Sequence, residues 1–80
     1  MTVGAAVKER ILDLCQEHNL SINKLCTTSG VPQSTINNLV NSRNNSITVS
    51  TVKKLCDGLG ITLEEFFHSE IFQMLEQEVK

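Results

Sequence analysis

Apolar positions recur every three or four residues along this chain and never alternate strictly in twos, a pattern that predicts helices and no strands. Val7, Ile11 and Leu14 form one stripe, with Leu12 and Cys15 beside it, over a first helix expected from about Val3 to His18. Asn19 is placed to stop it, because asparagine tolerates the left-handed conformation that ends helices. Ser21 can cap a short second helix whose inner face is Ile22, Leu25 and Cys26 and whose end is Gly30. Pro32 has a preset φ and no N–H to leave unpaired, which suits the opening of a third helix buried through Ile36, Leu39 and Val40.

Asn41 to Ser46, "NSRNNS", reads as a polar loop. Thr48 then caps a fourth helix carrying Val52, Leu55, Cys56 and Leu59 inward and ending at Gly60. Thr62 and Glu65, three residues apart, form a capping box that opens a fifth helix with Leu63, Phe66 and Phe67 directed into the core. From Ser69 to Lys80, Ile71, Phe72, Leu75 and Val79 keep helical spacing and make an amphipathic stretch. The expected fold class is therefore all-α: a compact domain of five helices, with room for an extra C-terminal helix.

Composition narrows this further. At 80 residues the chain is expected to be one domain, and 40% hydrophobic residues without Trp or Tyr suit a core of Leu, Ile and Val with three Phe. Such a chain buries only roughly two-thirds of its unfolded surface, so each apolar position matters. No apolar run nears the roughly 18 residues of a membrane span. The start, "MTVGAAVKER", lacks the basic and apolar regions of a secretory signal, so a cytoplasmic location without membrane contact is expected. Cys15, Cys26 and Cys56 are odd in number, widely spaced and each within an apolar repeat; they read as reduced core thiols, not as a disulfide framework or a metal site.

The net charge of -2 first argues against a polyanionic partner, but its distribution does not. Acids stop at Glu17 and resume at Asp57, and between them lie Lys24, Arg43, Lys53 and Lys54. Glu64, Glu65, Glu70, Glu76 and Glu78 place the acidity near the C-terminus. A polyanion responds to the local patch, because salt screens charges beyond about 10 Å.

The chemistry-bearing stretch is "GVPQSTINNLVNSRNN", Gly30 to Asn45, with one charge, Arg43, and six amides: Gln33, Asn37, Asn38, Asn41, Asn44 and Asn45. Amides weaken helices, so their number asks for a reason. Together with the preceding helix, "LSINKLCTTSGVPQSTINNLV" has the parts of a helix-turn-helix: small Cys26 at the crossing, Gly30 at the turn, Val31 as plug, Ile36 and Leu39 as anchors.

Those residues resemble the phage-repressor and Cro-type helix-turn-helix family, also called the XRE family. The likeness covers roughly Val7 to Phe67, with matches at Ser21, Leu25, Gly30, Val31, Ser34, Thr35, Ile36, Leu59, Gly60, Ile61 and Thr62. It implies a lambda-repressor-like fold whose third helix enters the DNA major groove. With Ile36, Leu39 and Val40 inward, the base-reading face would be Gln33, Ser34, Asn37 and Asn38; Asn and Gln pair bidentately with adenine. Phosphate contacts would come from Ser21, Lys24, Asn41, Arg43, Asn44 and Thr48, through charge, neutral hydrogen bonds and the free N–H groups of helix starts. Asn44 and Asn45 fit a solvated loop equally well. The chain departs from the family pattern at Ile22, where a Gln usually braces phosphate and recognition helix, and at Cys15, Cys26 and Ser42.

The resemblance implies a bacterial or phage transcription regulator, expected to be a repressor, with double-stranded DNA as partner and no cofactor. Members commonly bind palindromic operators as homodimers, with half-sites about 34 Å apart. The expected organisation is a helix-turn-helix domain over 1–67 and an amphipathic tail over 68–80 available for a dimer contact. The alternative is a protein-interaction module, an antitoxin or adaptor, whose acidic C-terminal tail binds another protein. No enzyme is expected: His18 and His68 are isolated, Glu64 and Glu65 face apart on a helix, and there is no glycine-rich phosphate loop.

Overall fold

The structure, a computed structural model, describes residues 2–41 and 47–77, apart from the Val40 side chain. Among the described residues there are five α-helices, α1 Val3–Glu17, α2 Ile22–Ser29, α3 Gln33–Asn41, α4 Val49–Leu59 and α5 Leu63–Phe67, followed by a 3-10 helix, Glu70–Met74. No strand occurs among the described residues.

Local chemistry accounts for most of the boundaries. Thr2, Ser21 and Thr48 each accept a backbone N–H from three residues on, at Ala5 (3.2 Å), Lys24 (3.1 Å) and Thr51 (3.1 Å). This satisfies one of the donors a helix start leaves unpaired. At α5 the bonds are reciprocal: Glu65 N–H donates to Thr62 Oγ1 at 3.0 Å and Thr62 N–H donates to Glu65 Oε1 at 3.1 Å. Helix ends use the left-handed region at Asn19 (φ 56), Gly30 (φ 74) and Gly60 (φ 73). Pro32 precedes α3 instead of opening it, its carbonyl accepting from Thr35 N–H at 3.0 Å. Asn41, expected in the loop, is the last residue of α3.

One continuous core runs through all five helices, from Val7, Ile11 and Leu14 through Leu25, Ile36, Leu39, Val52, Leu55 and Leu59 to Phe66. Val31 plugs it from the turn between α2 and α3, and Cys15, Cys26 and Cys56 are buried within it as unbridged thiols. Burial raises the pKa of all three, with Cys26 adding to the rise at Cys15, so the thiols stay protonated at neutral pH. Arg10 ties the two ends of the chain together: its Nε donates to the Phe66 carbonyl at 2.7 Å and its Nη2 to the Glu65 carbonyl at 2.9 Å. A five-residue helix has few satisfied carbonyls of its own, so the guanidinium completes α5 while fixing it to α1.

One expectation, the inward Phe67, needs correction, and two other positions are refined. Leu12 is 42% exposed, because it stands about 100° round α1 from the buried Ile11. Phe67 is 40% exposed: adjacent helical residues diverge by the same angle, and Phe66 takes the core position. The tail is not an amphipathic α-helix over its described part; it makes one 3-10 helix and becomes extended at Leu75. An isolated helix of about twelve residues is marginal in water. Docking of Phe72 against Phe67 and Phe66, with ring centroids 5.0 and 6.2 Å apart, decides the local shape instead. Val79 lies outside the described residues.

No described helix is long and apolar enough to cross a membrane.

Candidate nucleic-acid interface

The α2–turn–α3 unit is held from beneath. Leu25 and Cys26 on α2, Val31 in the turn, and Ile36 and Leu39 on α3 are all buried. Gly30 supplies the left-handed residue that reverses the chain, and its N–H donates to the Cys26 carbonyl at 2.9 Å. With Ile36 and Leu39 fixed inward, helical geometry directs Gln33, Ser34, Asn37 and Asn38 outward, and all four are exposed. The face is made of amide and hydroxyl groups that both donate and accept, so it offers a hydrogen-bond pattern and not merely a charge.

Around this ridge, Ser21, Lys24, Asn41 and Thr48 are exposed. The hydroxyls of Ser21 and Thr48 already accept a backbone N–H each. What those helix starts offer a phosphate is therefore their free first-turn N–H groups, more than the hydroxyl oxygens. Arg43, Asn44 and Asn45 lie outside the described residues. Lys53 pairs with Asp57 one turn along α4, which spends part of its charge locally, whereas Lys54 is exposed.

One feature of the ridge has no counterpart in the sequence expectations. Gln33 Nε2 donates to Asn23 Oδ1, linking the start of α3 to the first turn of α2 across the turn. Ile22, which stands where the family pattern has a bracing Gln, is half-buried against the core and takes no such part. The sequence carried one signal, an exposed-face amide at the start of each helix of the unit.

A concavity of about 660 Å³ lies between α1 and α5 and is lined by Arg10, Glu17, His18, Glu64 and His68 among others. The two histidines, fifty residues apart in the chain, thus share one cleft. No group of three His, Cys, Asp or Glu side chains among the described residues is arranged to hold a metal ion. None of the amide-bearing residues of α3 lines this cleft.

A short helix presenting a polar ridge, wedged by a glycine turn against a second short helix, defines a helix-turn-helix scaffold. The comparisons agree. Residues 10–70 match the Cro/C1-type HTH DNA-binding domain, and the chain belongs to that family. In structure it is similar to prophage Lp1 protein 11, known from a crystal structure, with 36% sequence identity and a TM-score of 0.80. That likeness covers 86% of this chain and 91% of the other. Among curated proteins there is no match. The family is one of DNA-binding regulators, a class that is typically not enzymatic.

Proposed function

We propose that this protein is a sequence-specific transcriptional repressor of bacterial or phage type, acting in the cytoplasm by occupying double-stranded DNA. The observation that carries the reading is the exposed amide face of α3, Gln33, Ser34, Asn37 and Asn38, set against a buried Ile36–Leu39 face that fixes its direction. In the major groove these side chains read base edges, while Ser21, Lys24, Asn41, Arg43, Asn44 and Thr48 engage phosphates and set the register. Repression then needs no chemistry, only occupancy.

A single module buries little DNA surface, so a homodimer on a palindromic operator supplies the rest of the affinity. In this reading residues 1–67 form the DNA-reading unit and 68–80 the dimer contact. The exposed Phe67 and Met74, beside the docked Phe72, support an apolar contact at that end. They equally favour a second reading, in which this acidic, apolar end binds a different protein.

Selection of bound duplexes from a random pool tests the proposal. The expected result is a palindromic consensus bound with an affinity that falls steeply with salt. Enrichment of no sequence, or binding indifferent to salt, would refute it. Sedimentation of the free protein separates the two readings of the apolar end, a dimer supporting the first and a monomer the second.

A further inference from the structure

We infer that the cleft between α1 and α5 is a binding site for a small aliphatic diamine or polyamine, with one ammonium on each helix and the methylene chain between. The cleft lies apart from the polar ridge, since none of the amide-bearing residues of α3 lines it, and the inference does not rest on the DNA reading. Its volume, about 660 Å³, falls within the range of roughly 300–1,000 Å³ usual for small-ligand pockets.

The lining selects the ligand. Leu14 of α1 and Ile61, from the turn before α5, give the cleft an apolar floor. Arg10 is its one permanent cation among the described residues, and that guanidinium is committed, Nε to the Phe66 carbonyl and Nη2 to the Glu65 carbonyl. The Glu65 carboxylate is committed too, accepting the Thr62 N–H. Two carboxylates remain, Glu17 from α1 and Glu64 from α5; both are exposed, and neither has an ion-pair partner among the described residues.

Glu64 serves folding in the first turn of α5, but Glu17 is placed against local preference. It is the last residue of α1, where the helix's partial negative charge disfavours an acid, and no base in the last turn offsets it. Folding gains nothing from a carboxylate there, whereas a cation in the cleft gains from both the carboxylate and the helix end. An ammonium at each end of an aliphatic chain meets both acids while its methylenes cover Leu14 and Ile61. A bare divalent ion would gain the charge and not the floor, and no three side chains among the described residues are arranged to ligate one. Occupancy ties α1 to α5 beside the Arg10 bonds, so the ligand stabilises the folded chain.

Titration of the free protein with putrescine, followed by amide NMR, tests this; DNA is left out because it binds polyamines itself. Shifts should concentrate at Glu17, Ile61 and Glu64 and saturate, and the thermal midpoint should rise with putrescine. Butylamine, which keeps the chain and one charge, should bind more weakly by roughly two- to fivefold, and so should putrescine to Glu17→Gln or Glu64→Gln. Glu17→Gln should do so without lowering the thermal midpoint of the free chain. Glu70→Gln, which removes an exposed acid outside the cleft, should leave binding unchanged. Shifts that never saturate, that magnesium chloride reproduces at equal ionic strength, or that Glu70→Gln diminishes as much would reduce the response to a diffuse acidic surface and overturn the site. Butylamine binding as tightly as putrescine would overturn the diamine, leaving a pocket for a single cation such as a partner's lysine side chain.

Discussion

Gly58 of α4 packs directly on Ser29 of α2: a Cβ built on Gly58 would lie 2.8 Å from Ser29 Cβ, 3.0 Å from its Cα and 3.1 Å from its backbone nitrogen. Two helices meet here with only the Ser29 side chain between their backbones, and α2 is the helix on which the polar ridge of α3 leans. The glycine is therefore required by close approach. Its backbone, unlike that of Gly30 and Gly60, is not in the left-handed region.

The first prediction follows from that contact. Gly58→Ala gains about 1 kcal/mol of helix propensity. Against this stands an overpacking cost of about 1–3 kcal/mol, at the upper end here because backbone atoms of Ser29 cannot swing aside. We expect a net loss of stability of about 1–2 kcal/mol, read as a lower urea midpoint, together with shifted amide resonances along α2. A variant as stable as the wild type would show that α2 and α4 separate freely.

Arg10→Ala should remove two charge-assisted bonds to the carbonyls of Glu65 and Phe66 and cost about 1–3 kcal/mol, discounted toward the low end because the site is partly solvated. Arg10→Lys should restore only part of this, since an ammonium cannot reach both carbonyls with a planar fork. Faster hydrogen exchange in α5 is the accompanying readout. Full recovery by lysine would mean that charge, and not the two-pronged geometry, holds α5 in place.

The buried thiols set an alkaline limit. Folding raises the pKa of Cys15, Cys26 and Cys56 above the ordinary 9.0, so the unfolded chain loses these protons first. Stability from this source is complete below pH ~8.5 and falls as pH climbs through and beyond 9, each thiol steepening the slope by up to about 1.4 kcal/mol per pH unit. Denaturation under reducing conditions at pH 8 and pH 10 measures it. Cys56→Ala should flatten the decline, and an identical slope in that variant would remove the thiols as its cause.

On DNA, Asn38→Ala should reduce discrimination at one position per half-site by about 1–3 kcal/mol. Arg43→Ala should weaken all sequences alike and lower the salt slope by about one. The two profiles, measured by titration at several salt concentrations, must differ in kind. An Arg43→Ala variant with unchanged affinity and slope would dismiss the loop from the phosphate contacts.

At the far end, Met74→Glu places a charge on a side chain that is 64% exposed, so the fold should persist. If 68–80 is the dimer contact, sedimentation should report monomers and operator affinity should fall. A dimer that survives the charge would move the contact elsewhere.

Sequence alone determined the helices and the direction of the ridge, because both depend on interactions within one or two turns. Ser21, Thr48 and the Thr62–Glu65 box cap within three residues, Gly30 and Gly60 end helices by their own φ, and Ile36 with Leu39 sets which side of α3 faces out. Tertiary structure decided whatever joins residues distant in the chain: the Asn23–Gln33 brace, Arg10 on the α5 carbonyls, Ser29 against Gly58, and the tail, where docking of Phe72 prevailed over helical spacing. Periodicity gives the direction of a side chain around its own helix. It does not say which neighbour waits there, and that depends on how the helices pack.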